Sequence, residues 1–312
     1  MSSELSPREK RILERYLARQ KNADTSPIKP PRIQPPTGDH LPLNIEALLA
    51  TDKIYLSEDT DSDGNYIGVP IALENALTEV SSMGVASMPY LIAGNSAANR
   101  DRKYSANSHW LWKDWFTCYS EENVIIDSKG LFGERGKPVV FVVHRGGILT
   151  PERIKRAYSG GLTPQNAAKY TSDETNGLLE GKLPNGKQIQ IYTVDDVKKG
   201  NVSNPFGQYA VVVNFETAKA TKSDYHSKDD FKNNELVIAR AGTLDYLDEY
   251  FEKAQSGNTV GNWHRFTEID PNQPQGRLLF LDGSNYGLDG DDNLDNDGRF
   301  VGVAPEAHGA RK

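Results

Sequence analysis

Two stretches place acidic side chains at the alternate spacing that suits a hard cation. Asp59, Asp61, Asp63 and Gly64 form the first, and Asn293, Asp295, Asp297 and Gly298 form the second. Oxygen ligands at alternate positions converge on a calcium-sized ion when a glycine lets the chain fold sharply around it. The twelfth position of these loops is Pro70 or Ala304, where an EF-hand has a bidentate glutamate. Any calcium site here is therefore expected to be weak, with Kd of about 10⁻⁴ to 10⁻³ M. A plain turn is the simpler reading. Asp61-Ser62-Asp63-Gly64-Asn65-Tyr66-Ile67-Gly68-Val69 and Asp295-Asn296-Asp297-Gly298-Arg299-Phe300-Val301-Gly302-Val303 repeat one phrase. In both, Asp-Gly supplies the positive φ of a tight loop feeding a strand. Around the second copy, Asp282, Asp289, Asp291, Asp292, Asp295 and Asp297 crowd a stretch without basic residues. Such carboxylates repel unless they share a cation or stay in water, and a solvated loop is expected.

A second candidate is the corner His144-Arg145-Gly146-Gly147, which follows the most apolar run of the chain and precedes the helix start Thr150-Pro151. Backbone N–H groups between a strand end and a helix start can approach an anion, and arginine adds a bidentate charge. A phosphate-bearing or nucleotide ligand fits that chemistry. The corner also resembles mono-ADP-ribosyltransferases, which place an arginine after an apolar strand and a Glu-x-Glu element before a later one. Arg145-Gly146 stands for the first and Asn233-Asn234-Glu235-Leu236-Val237-Ile238 for the second. The resemblance implies that Glu235 approaches Arg145. It covers short matches only: Asn233 replaces the first glutamate, and no Ser-Thr-Ser strand lies between. Glycine at a strand-to-helix connection also serves geometry alone.

Other chemistry is scarce. The six histidines are scattered, with no H-E-x-x-H, P-loop, Rossmann or G-x-S-x-G pattern. Trp110, Trp112 and Trp115 cluster with Leu111, Phe116 and Tyr119 and are expected to be core. A lone Cys118 makes no internal disulfide, which suits a reducing compartment, and the charged N-terminus lacks an apolar signal core. A cytoplasmic protein without a membrane partner is expected.

The elements that must position these residues follow from periodicity and capping. Residues 1–42 carry eight basic and five acidic side chains, a net of +3 on a chain of −7. Ser6-Pro7-Arg8-Glu9 starts a helix to about Gln20 with Ile12, Leu13, Tyr16 and Leu17 on one stripe, followed by a proline-rich spacer. The stripe is expected to dock on a protein partner or a second copy through residues 6–20, and nucleic acid is an unlikely ligand for an acidic body. Beyond it, strands are expected at 54–56, 66–71, 124–126, 138–144, 188–194, 209–215, 235–240, 277–281 and 299–303. Helices are expected after Thr150, Thr163 and Thr171 and over 244–255, with a polar loop from 216 to 230.

These elements predict an α+β fold: a mixed, largely antiparallel sheet with short capped helices, preceded by an N-terminal helical arm. The domains expected are the arm and linker 1–42, a single globular domain 43–307 with a subdivision near 200–205 as the variant, and a tail 308–312. The function expected is binding or assembly; the alternative is an enzyme at His144, Arg145, Gly146, Gly147 and Glu235.

Overall fold

The computed structural model describes residues 45–62, 64–100, 114–282 and 287–303. The arm 1–42, Asp63, Trp110, Trp112 and the tail 308–312 lie outside them.

Four runs, ENVIID, VVFVVH, YAVVVN and RLLFLD, are buried along almost their whole length. Strands apolar on both faces belong in the middle of a sheet covered on both sides. They form β2 (Trp115–Asp127), β3 (Lys137–His144), β6 (Tyr209–Asn214) and β9 (Gln275–Asp282). With β5 (Gln190–Thr193), β7 (Asp224–His226), β8 (Val260–Trp263) and β10 (Gly287–Asp289) they make a sheet in the order β5-β6-β3-β2-β9-β10-β8-β7. β4 (Ala168–Lys169) pairs with β9. The β5–β6 and β10–β8 pairs are parallel and the others antiparallel, so the fold is α+β with a mixed, mostly antiparallel sheet. β5 and β6 pair across residues 200–205.

Alternation divides each central strand between two cores. Phe116, Cys118, Val124, Val140, Val142, Val211, Val213, Leu279 and Leu281 face one. That side is covered by α1 (Ile45–Ala50), α3 (Met88–Arg100), α7 (Phe215–Ala220), α8 (Lys228–Asn233), α9 (Glu235–Ala241) and α10 (Leu247–Ala254). Tyr119, Ile125, Phe141, Val143, Val212, Leu278 and Phe280 face the other, covered by α2 (Gly68–Gly84), α4 (Pro151–Tyr158) and α5 (Ser172–Leu179). α6 (Val194–Lys198) follows β5, and Thr193 caps it.

Several expectations are corrected. The run 66–71 is no strand: α2 starts at Gly68, with Pro70 in its first turn and Val69, Ala72, Leu73, Ala76 and Val80 all buried at helical spacing. Residues 235–240 form helix α9, capped by Asn234, whose side chain accepts from Leu236 N and Val237 N, and closed by Gly242 at φ +65°. Thr163-Pro164 opens a tight turn closed by Thr163 N to Ala167 O at 2.8 Å. The polar loop 216–230 contains α7, β7 and the start of α8. The last helix starts at Leu247.

The two copies of the repeated phrase meet. β1 (Lys53–Ser57), just before the first, pairs antiparallel with β11 (Gly298–Gly302) of the second, from Lys53 opposite Gly302 to Ser57 opposite Gly298. A Cβ on Gly298 would lie 2.6 Å from Val69 Cα, so only glycine admits this approach.

Candidate functional site

The predicted corner is built into the core. His144 is fully buried at the end of β3, with Ser120 Oγ 3.0 Å from Nδ1 and Ala239 O 3.0 Å from Nε2. Met88 N donates to Ser120 Oγ. The hydroxyl therefore gives its proton to Nδ1, and Nε2–H donates to the carbonyl of α9. Burial pushes the imidazole pKa down to about 4, against the Ala239 bond. This is a neutral histidine tying β2, β3 and α9 together, and both nitrogens are engaged. Arg145 is buried at φ 60°, its guanidinium 5.5 Å from the Tyr90 ring centre and held below the usual arginine range by burial. Gln208 Nε2 donates to Arg145 O at 3.0 Å and Gly146 O at 2.9 Å. Glu235, which the transferase resemblance implies near Arg145, starts α9, and its carboxylate lies 3.8 Å from Lys198 Nζ of α6.

The turn is organised by a residue the sequence did not single out. Glu121, fully buried on β2, accepts from Ile148 N at 2.6 Å, Leu149 N at 2.8 Å and Asn123 Nδ2 at 3.3 Å. A Cβ on Gly147 would stand 1.8 Å from Glu121 Oε1, so the glycine makes room for a carboxylate of the protein itself. Burial pushes the Glu121 pKa up to about 7, against those three hydrogen bonds.

The described parts of the acidic loops are organised by hydrogen bonds within the protein, and Asp63 lies outside the described residues. Asp59 Oδ2 accepts from Ser57 Oγ at 2.5 Å, and Asp61 Oδ1 accepts from Asn65 N at 2.9 Å, closing the turn around Gly64 at φ +81°. In the second loop, Asn166 Nδ2 reaches both oxygens of Asp295 at 2.7 and 2.8 Å, Asn293 is buried, and Asp297 N donates to Asn296 Oδ1. Among the described residues, the acidic group whose ligand atoms lie within 4.8 Å of one another is Asp289, Asp291 and Asp292, and none of the predicted ligands belongs to it. The expected solvated loop is also corrected: Asp282, Asp289 and Asp291 are buried.

Beside this acidic segment stand two buried arginines, Arg240 and Arg277, and the partly buried Arg265. Arg240, the largest fully buried side chain among the described residues, donates from Nε and Nη2 to Glu122 Oε2 at 3.0 and 2.8 Å. Its Nη1 donates to Asn262 Oδ1 at 2.7 Å, Trp263 O at 3.0 Å and Leu288 O at 3.4 Å. Arg265 Nε donates to Asp291 O at 2.7 Å, and Arg277 Nη1 to Asp292 O at 3.3 Å. Burial, and then Arg265 nearby, push Arg277 down to about 10, while Glu122, Asp291 and Asp289 oppose the shift. Further along, Leu294 N donates to Asn166 O at 3.0 Å, Tyr158 OH to Leu294 O at 2.7 Å, and Val69 N to Asn296 O at 3.1 Å. Gly290 N donates to Trp263 O at 2.9 Å.

Those of these bonds that reach the segment, at Leu288 O, Gly290 N, Asp291 O, Asp292 O, Leu294 N, Leu294 O and Asn296 O, end on its main chain. Leu288 and Leu294 are its buried apolar anchors, while Asp292, Asp295, Asn296, Asp297 and Arg299 remain half-buried. The available sequence signal was compositional: apart from those two leucines, residues 283–298 are all Gly, Ser, Asn, Tyr or Asp.

The topology has a known counterpart. The chain is similar to a solved structure described in the words "Accommodation of massive sequence variation in Nanoarchaeota by the C-type lectin fold", with a TM-score of 0.56 over 80% of this chain and 96% of that one, at 23% identity. This chain has a C-type lectin-like fold. No protein-family profile and no curated protein matches the sequence.

Proposed function

We propose that this C-type lectin-like chain is a binding protein of the cytoplasm whose recognition surface is carried by residues 287–299. The observation that carries the reading is the main-chain anchoring of the segment. Hydrogen bonds to Leu288 O, Asp291 O, Asp292 O, Leu294 N, Leu294 O and Asn296 O do not depend on which side chains those residues bear. A segment fixed this way can exchange its outward side chains and keep its path. Gly and Asn, which recur along this stretch, are also enriched in antibody binding loops, where they give adaptable polar contacts. The solved neighbour is described as accommodating massive sequence variation in the same fold, and the same division between scaffold and variable surface suits this chain. The basic segment at residues 6–20, whose sequence carries a capping box and an apolar stripe, then serves assembly, by docking on a partner or a second copy.

The test is a displayed library of the full chain, with Asn296, Asp297 and Arg299 randomised to Asn, Asp, Ser, Gly and Tyr, sorted first for folding and then for binding to a chosen globular target. Most members are expected to keep Tm within about 4 °C of the parent, a change of about 1 kcal/mol, and specific binders are expected to emerge. A library that is largely unfolded, or folded but without binders, counts against the proposal.

A further inference from the structure

We propose that the tip of the β2–β3 hairpin is a contact surface for an anionic lipid bilayer. Residues 128–137 are exposed apart from the partly covered Gly130, so the connection projects beyond the two central strands. Its apex is Leu131 and Phe132, 39% and 41% exposed. Below the apex stand Lys129, Arg135 and Lys137, against the single acidic residue Glu134. The tip is thus +2, and the remainder of a chain of −7 is −9.

The tip is also held in shape. Asp127, fully buried at its base, accepts from Lys129 N and Gly130 N at 2.8 Å and from Leu131 N at 2.5 Å. Gly136 N returns to Asp127 O at 2.7 Å, and Gly133 N to Gly130 O at 3.0 Å. A solvent-exposed loop gains nothing from displaying two large apolar side chains on a fixed turn, whereas a surface that receives them loses less entropy when the turn is already formed.

The layering of side chains identifies that surface. Lys129 and Arg135 lie two and three residues from the apex along the chain, at most roughly 7–10 Å even at full strand rise. That offset matches the depth of about 5–10 Å to which apolar groups enter the boundary between headgroups and acyl chains. Lys and Arg held at headgroup level gain from anionic lipid within a Debye length. The acidic remainder of the molecule is repelled, which orients the protein tip-down and keeps the contact reversible. This contact differs from a spanning helix, and no described helix is long and apolar enough to cross a membrane.

The experiment is co-sedimentation of the full chain with vesicles of phosphatidylcholine alone or with about two-fifths phosphatidylglycerol, at about 0.1 M and about 0.5 M salt. Binding to the anionic vesicles at low salt is expected to exceed that to neutral ones about fivefold or more, and to fall at high salt. Leu131→Ser with Phe132→Ser, and separately Lys129→Glu with Arg135→Glu, are expected to abolish the excess while leaving the melting curve unchanged. Phe132→Trp is expected to add a blue-shifted emission on anionic vesicles. Failure of the folded wild-type chain to bind anionic vesicles overturns the proposal and leaves the tip to a protein partner. Binding that persists in both double variants also overturns it, and assigns adsorption to the basic arm, residues 1–42.

Discussion

Replacing Glu121 with Gln should change how stability depends on pH more than it changes stability itself. The carboxyl is fully buried and its pKa is displaced from 4.5 to about 7. At about 1.4 kcal/mol per pH unit, that displacement is worth about 3 kcal/mol. The folded pKa is the higher one, so between pH 4.5 and 7 the native state holds a proton that the unfolded chain has released. The contribution is therefore complete below 4.5, shrinks as pH rises, and is gone above 7. His144 acts in the opposite sense, because its pKa is lowered from 6.5 to about 4 and its contribution is lost as pH falls through that window. His264, lowered to about 4 by burial, adds to the histidine side. The wild-type curve alone therefore conceals the glutamate, and the difference between variant and wild type isolates it. Urea unfolding of both at pH 5 and pH 8 is the assay. Glu121→Gln turns an amide N–H toward Leu149 N and costs about 1–3 kcal/mol through that mismatch, but it does not titrate. The loss on substitution should be about 3 kcal/mol larger at pH 5 than at pH 8. Equal losses at the two pH values would refute the account of this corner as a buried carboxyl capping a turn.

The other predictions concern packing and charge. Leu294→Ala should lower stability by about 2–5 kcal/mol in urea unfolding, while Asn296→Ser, beside a main-chain anchor, should stay within about 0.5 kcal/mol. Arg240→Met leaves Glu122 buried without its partner and should cost about 3–5 kcal/mol; adding Glu122→Leu should recover most of that loss in the same assay. Gly147→Ala brings a methyl onto Glu121 Oε1 and should cost at least about 1–3 kcal/mol by thermal melting. The ring protons of His144 should titrate by NMR with a midpoint near 4, well below 6.5.

The central strands were legible because burial on both faces leaves uninterrupted apolar runs, as in Val139 to Val143 and Leu278 to Leu281. Helices α4 and α5 were legible from their caps, Thr150 followed by Pro151 and the Thr171–Glu174 capping box. α9 failed for a physical reason: Leu236 to Ala241 are all buried, so no polar face marks the helical period, and Leu-Val-Ile reads as strand. α2 was masked by the likeness of its start to the second acidic phrase, although Pro70 and the spacing of Val69, Ala72, Leu73, Ala76 and Val80 carry a helix signal. Glu121 was invisible because nothing local to it shows that its acceptors will face Ile148 N and Leu149 N. The anchoring of residues 287–297 was hidden for a related reason: Arg240, Arg265 and Arg277 are distant in sequence, and their targets are carbonyls, which every residue possesses.

That last point also separates positions of the segment that can vary from those that cannot. Arg240, Arg265 and Arg277 bring three positive charges to a region largely removed from water, and Glu122, Asp289, Asp291 and Asp292 bring four negative ones. Arg277, already down to about 10, is the guanidinium most sensitive to losing a carboxylate neighbour. Neutralising Asp289 or Asp291 removes charge from beside a buried cation, a loss that solvent does not replace. Asn296 and Asp297 lie beyond the arginines and half in water, where a change of side chain leaves the Val69 N bond to Asn296 O in place. The tolerance of the segment should therefore be graded along its length, strict from Asp289 to Asp291 and permissive from Asn296 to Asp297. Deep mutational scanning of folded display would read this gradient directly, and a uniform tolerance across 289–297 would mean that backbone anchoring, without the charge network, decides what the scaffold accepts.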